Sequence, residues 1–144
     1  MAKQIPLAEG LFTWPSDNPA LLAGRCGDCE YVAFPFRDRC LACDGTDVER
    51  VELPRRGRLW TFTTQRFRPP SPPYGGSDTP ETFAPFGVGY VELPGVVRVE
   101  ARLTEPDPAR LEVGQEMELV ILPFGVNAEG EETMMFAFRP LDRV

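Results

Sequence analysis

The chain has 144 residues, a formal net charge of −7 and no histidine. That length suits one compact domain, or one domain with a small appendage. Ser–His and Cys–His nucleophilic pairs cannot be built from this chain alone. No run of eighteen apolar residues occurs, so no membrane-spanning helix is expected. Sixteen prolines and thirteen glycines disfavour a helical bundle and fit short strands joined by turns.

The opening stretch MAKQIPLAEGLF lacks the apolar core and small-residue cleavage site of a signal peptide, so the expected location is cytoplasmic. Residues 1–24 read as an arm. Within them SDNPALLAGR is either a short helix capped by Ser16 or Asp17 or simply an extended lead into the cysteine segment. Leu11, Phe12 and Trp14 are apolar residues that either cover that segment or meet a partner.

Residues 25–54 hold all four cysteines: Cys26, Cys29, Cys40 and Cys43, two Cys-x-x-Cys pairs ten residues apart. Metal ligation, a redox pair and a disulfide framework are the chemistries open to such thiols. In a reducing compartment the clustering favours metal. Two Cys-x-x-Cys turns facing each other supply four thiolates to one tetrahedral ion, zinc by default, with iron using the same ligands. A thioredoxin-like centre would carry one pair inside a βαβ pattern, which is absent. YVAFPF reads as a strand entering the second turn, and Gly27 and Gly45 stand where a tight turn leaves little room for a side chain. A closed four-thiolate site leaves no position for a reactive water, so its expected role is structural.

Residues 55–144 alternate between strand patterns and turn signals. GRLWTFTTQRF (57–67) is aromatic and β-branched. Residues 66–86, RFRPPSPPYGGSDTPETFAPF, form a long irregular loop. FGVGYVEL (86–93) and GVVRVEARLT (95–104) come next, with Pro94 and Gly95 as the turn between them. RVEARL alternates as a half-buried strand should. DPARLEVG predicts one helical turn, capped by Asp107 and stopped at Gly114. QEMELVILPF (115–124) and TMMFAFRP (133–140), joined by the polar NAEGEE, complete five strands. The fold class is therefore mainly β: a four-cysteine ribbon followed by a five-stranded barrel of the oligonucleotide/oligosaccharide-binding (OB) type.

Charge is unevenly spread. Residues 50–68 carry six arginines against Glu52 alone, interleaved with Trp60, Phe62 and Phe67, whereas residues 77–132 carry twelve acids against three arginines. The basic stretch fits a single-stranded nucleic-acid platform, a site for CoA phosphates and adenine, or ordinary barrel packing with arginines paired to local acids. Overall acidity counts against nucleic acid, whose affinity comes largely from phosphate neutralisation. In the long loop Tyr74, Phe83 and Phe86, with Arg66 and Arg68 at its entrance, have the composition of interface anchors. The same loop could instead wrap its own barrel.

Taken in order, GRCGDCEYVAFPFRDRCLACDG, RRGRLWTFTT, FAPFGVGYVELPGVVRVEARL, LEVGQEMELVI and FAFRP resemble the acyl-CoA-associated OB-fold proteins that carry an N-terminal rubredoxin-like zinc ribbon. The resemblance spans residues 11–140. It implies a structural zinc ion on the four cysteines and a non-catalytic subunit partnered with a thiolase-fold enzyme. Family complexes include thiolases, aldolases acting on steroid side-chain CoA thioesters, and benzoylsuccinyl-CoA thiolase. There the large chain carries the catalytic groups, and the small chain supports it and helps shape the site for the CoA thioester. Because thiolase-fold enzymes dimerise, two large and two small subunits are expected. A nucleic-acid-binding module and a stand-alone enzyme are the competing classes, and which acyl group is handled is not readable from these residues.

Overall fold

A computed structural model describes residues 3–70, 74, 76–93 and 96–141. These residues are mainly β, with strands β1 (Gln4–Pro6), β2 (Leu22–Cys26), β3 (Val32–Ala33), β4 (Val48–Glu52), β5 (Arg56–Gln65), β6 (Phe86–Leu93), β7 (Val97–Leu103), β8 (Glu116–Val126) and β9 (Glu132–Pro140). One 3-10 turn, Pro108–Arg110, stands between β7 and β8.

Strands β5 to β9 close into a barrel. β5 pairs with β6, β6 with β7, β7 in parallel with β9, β9 with β8, and β8 back with β5. This is the five-stranded closure expected of an OB barrel. Alternation drives it. In β7, Val99, Ala101 and Leu103 are buried while Arg98 and Glu100 are exposed. In β6 the inward positions include Gly87 and Gly89, and a Cβ on Gly89 would lie 2.5 Å from the carbonyl oxygen of Thr61. The strands approach so closely there that only glycine fits.

In β5 a register shift between Leu59 and Thr61 interrupts the alternation. The bulge leaves Thr61 exposed and turns Phe62 inward, while Trp60 lies on the outside, stacked under Arg98 at 4.1 Å and edge-on to Tyr90. β8 carries a second register shift between Pro123 and Gly125.

The cysteine segment forms a separate three-stranded antiparallel sheet in the order β3–β2–β4. β3 covers only Val32 and Ala33, so the strand expected over YVAFPF is shorter than predicted; its chain leaves the sheet before Pro35, which has no N–H to offer. SDNPALLAGR is extended, not helical: Phe12 bridges to Leu21, and β2 begins at Leu22. The residues preceding it close onto the body of the protein. Phe12 is 3% exposed, and Leu11 and Trp14 pack against the same cluster. β1 adds in parallel to the start of β9.

One core therefore serves both sheets. Phe12, Leu21, Ala23 and Leu53 belong to the same buried cluster as Leu59, Val91, Leu103, Leu119 and Phe138 of the barrel. Phe34 meets Phe136 edge to face at 5.6 Å.

The turn after β7 is capped by Asp107, which accepts from the Ala109 N–H at 2.9 Å. It ends at Arg110, with Leu111 as its C-cap, rather than at Gly114 as expected. Gly114 instead takes φ +90° in the approach to β8, where its N–H donates to the Leu59 carbonyl at 2.7 Å. The turn assigned to Pro94 and Gly95 lies outside the described residues.

Candidate metal centre

Two near-identical turns bring the thiols together. In the first, the Glu30 N–H donates to the Cys26 carbonyl at 2.9 Å; in the second, the Asp44 N–H donates to the Cys40 carbonyl at 3.0 Å. The residue after each pair is left-handed, Glu30 at φ +66° and Asp44 at φ +62°. Each leading sulfur also accepts a backbone N–H: Asp28 to Cys26 at 3.4 Å, and Ala42 to Cys40 at 3.3 Å. Amide donors aimed at sulfur favour the thiolate form that a metal needs.

Gly27 and Gly45 each stand close to a carboxylate. A Cβ on Gly27 would stand 2.4 Å from a carboxylate oxygen of Asp47, and one on Gly45 would stand 2.8 Å from a carboxylate oxygen of Asp28. Neither glycine has the positive φ of Glu30 and Asp44, and the atoms a Cβ would meet are carboxylate ends that can swing aside.

All four sulfurs lie within 4.8 Å of one another. Across the two turns, Cys26 faces Cys43 and Cys29 faces Cys40, each pair at 3.6 Å. These are free thiols, far beyond disulfide bonding distance. Four sulfurs at about 2.3 Å from a zinc ion would stand roughly 3.8 Å apart along each tetrahedral edge, so the donor set fits a metal ion. Cys26 and Cys40 are buried, and Cys29 and Cys43 are exposed.

The clustered thiols oppose one another's full ionisation. The Cys43 backbone N–H holds the Cys40 thiol down at about 7, with Ala42 helping and burial opposing. Cys43 is pushed up to about 12: the Gly45 N–H acts to lower it, but the sulfurs of Cys26, Cys29 and Cys40, with burial, outweigh that donor. The Tyr31 N–H likewise pulls the Cys29 thiol down, but burial and the Cys40 sulfur outweigh it, so Cys29 is also raised. A bound cation removes this conflict by favouring all four thiolates at once.

The other residues singled out from the sequence are spread over the barrel surface. Described residues of the loop after β5 fold onto β8. The Tyr74 hydroxyl donates to the Asp78 carboxylate at 2.8 Å, the Tyr74 ring meets Phe124 edge-on, and Arg68 donates to the Asp78 carbonyl and lies over the Tyr74 ring. Burial, and after it Asp78, raise the Tyr74 phenol. Phe83 stacks edge-on against Phe86. Tyr74, Phe83 and Phe86 are thus half-buried against their own barrel. At the loop entrance Arg66 is exposed, and Phe67 stands 81% exposed.

The basic stretch disperses likewise. Arg55 donates to the carbonyls of Pro19 and Leu119, Arg56 pairs with Glu118, Arg58 donates to the Gly114 carbonyl, and Arg50 lies over Phe36. Phe62 packs against the core. Local pairing and packing account for most of its members.

Residues 50–122 match the family described as "ChsH2, C-terminal OB-fold domain". The chain is also 31% identical over 129 residues to the benzoylsuccinyl-CoA thiolase subunit BbsA of Thauera aromatica, covering 88% of this chain and 82% of that one. The chain belongs to this family. It is 29% identical to a DUF35 domain-containing scaffold protein of Methanothermobacter thermautotrophicus, over 83% of this chain and 86% of the relative. Among solved structures it is similar to "Ltp2-ChsH2(DUF35) aldolase", with a TM-score of 0.61, 25% identity and 84% of each chain covered. The family match covers mainly the barrel. The alignment to BbsA leaves too few residues outside it to miss the cysteine segment, so the aligned span includes residues 26–43.

Among the described residues no helix is long and apolar enough to cross a membrane.

Proposed function

We propose that this chain is a zinc-binding, non-catalytic subunit of a thiolase-like or aldolase-like complex that acts on acyl-CoA thioesters. The observation that carries this reading is the likeness, over 88% of this chain and 82% of that one, to a relative named as a benzoylsuccinyl-CoA thiolase subunit. The scaffold and aldolase names of the other relatives point the same way.

The chain's own chemistry fits a supporting role. It has no histidine, and its clustered nucleophiles are four thiols. Zinc held by all four would have no open position for water and would supply structure instead of catalysis. Cys26, Cys29, Cys40 and Cys43 would hold it, and the partner would supply the carbon–carbon bond chemistry. An assembly of two large and two small subunits in the cytoplasm is part of the proposal. So is a partner or CoA contact along the loop 66–85, with Arg66 and Phe67 outermost and Arg68, Tyr74, Phe83 and Phe86 supporting them from the barrel side.

A tagged chain recovered from its native cytoplasm at moderate salt tests the reading. The expected eluate contains a stoichiometric thiolase-fold chain, no nucleic acid, and one zinc ion per small subunit by elemental analysis. Nucleic acid without a thiolase-fold chain would overturn it in favour of a binding module.

A further inference from the structure

On the outer face of the barrel, where β7 meets β9, lies a cleft of about 220 Å³. Its walls are largely apolar, with Phe86, Leu122, Phe124 and Met135 among them, and Arg102 is the single ionisable residue lining it. The Arg102 guanidinium carbon sits 4.1 Å from the centre of the Phe86 ring and 5.6 Å from that of Phe124.

Three arginines among the described residues are half-buried: Arg55, Arg68 and Arg102. Arg55 is met by two carbonyl oxygens. Arg68 is met by the Asp78 carbonyl and, at 3.5 Å, by its carboxylate. Among the described residues, Arg102 has neither an ion pair nor a hydrogen-bond acceptor; the Phe86 and Phe124 rings lie against it, and its charge reaches the Tyr74 phenol.

Aromatic faces stabilise a guanidinium from above and below, but they do not satisfy the five in-plane N–H donors. A partly dehydrated cation with that fork free is a ready partner for a planar carboxylate or a phosphate. The volume sets the size of the ligand. A cavity of about 150 Å³ holds a benzene ring, whereas whole small-molecule sites run to roughly 300–1,000 Å³. The cleft can therefore take one ring-sized or branched-alkyl end bearing an anionic head.

We infer that the Arg102 cleft is an anion subsite that binds the carboxylate or phosphate monoester end of an apolar organic ligand. The head sits on the Arg102 guanidinium and the body lies against Phe86, Leu122 and Phe124. This inference rests on the cleft alone and not on the partnership proposed above.

The test is a titration of the metal-loaded full chain with 3-phenylpropionate, benzyl phosphate and the neutral 3-phenylpropanamide. Calorimetry and the Arg102 Nε–H nuclear resonance follow the binding. At least one anion is expected to bind roughly tenfold or more tightly than the amide and to shift that resonance. Whichever anion binds tighter identifies carboxylate or phosphate as the source. In Arg102→Leu the preference over the amide should vanish, while Arg102→Lys, with a point charge and no fork, should keep only part of it. Should the Leu variant misfold, the Lys variant and the wild-type resonance carry the test. Equal affinity for anions and amide, no binding by any probe at millimolar concentration, or unchanged anion binding in folded Arg102→Leu would overturn the inference.

Discussion

At the scale of single residues, the metal centre depends on two features of different kinds. The four cysteines are readable at once, because the spacing of two Cys-x-x-Cys pairs leaves few other uses for them. The left-handed Glu30 and Asp44 are not, because non-glycine residues seldom adopt positive φ and neither residue type announces it. The hydrogen bonds they allow fix the thiols in place and divide their proton affinities. Since Cys29 is raised and Cys43 stands at about 12, both are protonated at pH 7, and a metal ion must displace those protons on binding. Zinc binding at pH 7 should therefore release at least two protons per ion. Affinity should rise steeply with pH, because a thiol above its ordinary value binds its proton more tightly and loses it only as pH increases. Calorimetry in buffers of different ionisation enthalpy reads the number directly; release of fewer than two protons would contradict the assignment. Arg102 is hidden for a different reason. In the sequence it is one arginine in an alternating strand, and only the curvature of the barrel and the return of β8 show that its neighbours are rings and not carboxylates.

At the scale of elements, strand positions are legible where alternation is clean. β6 covers Phe86–Leu93 as expected, and β7 lies within 95–104. Two features defeat periodicity. The register shift in β5 leaves Thr61 exposed beside Trp60 and turns Phe62 toward the core, which a strict two-residue period would not show. The long loop's composition resembles that of an interface, yet its aromatic residues have mostly turned onto β6 and β8. A rule based on residue type cannot tell a side chain that meets a partner from one that meets its own barrel. Substitution can. Tyr74 is half-buried against Phe124 and bonded to Asp78, whereas Phe67 is 81% exposed. Tyr74→Ala should cost about 1–3 kcal/mol of stability, through the lost edge-on contact and the weakened hold on Asp78. Phe67→Ala should leave stability within about 0.5 kcal/mol and still weaken the complex with the proposed thiolase-fold partner. Thermal melts and partner titrations separate the two. A Phe67→Ala chain that binds its partner at full strength would remove the loop entrance from the interface.

At the scale of the whole molecule, the boundaries near residues 24 and 54 mark changes of motif, but the buried side chains cross them. Leu21 and Ala23 from before the first boundary, and Leu53 just after β4, are enclosed with the barrel residues, and Val32, Phe34 and Val51 pack against the same cluster. β9 adds to this linkage: β8 pairs along its length, β7 near its end and β1 at its start. A ribbon standing alone would owe its order almost wholly to the ion, as small zinc modules do. Here the sheet that carries the cysteines is also one wall of the barrel's core. Burial of its apolar face contributes roughly 1.5–3 kcal/mol for each large side chain, whether or not an ion is bound. Chelation should therefore loosen the two cysteine turns and lower the melting temperature without detaching the sheet. Scanning calorimetry of the chelated chain should show a single transition, shifted down from that of the zinc-loaded chain. Near-ultraviolet circular dichroism from the Phe12, Trp14 and Phe34 environment should persist below it. A separate low-temperature transition, absent when zinc is bound, would show that the ribbon unfolds alone and that the shared core does not hold it.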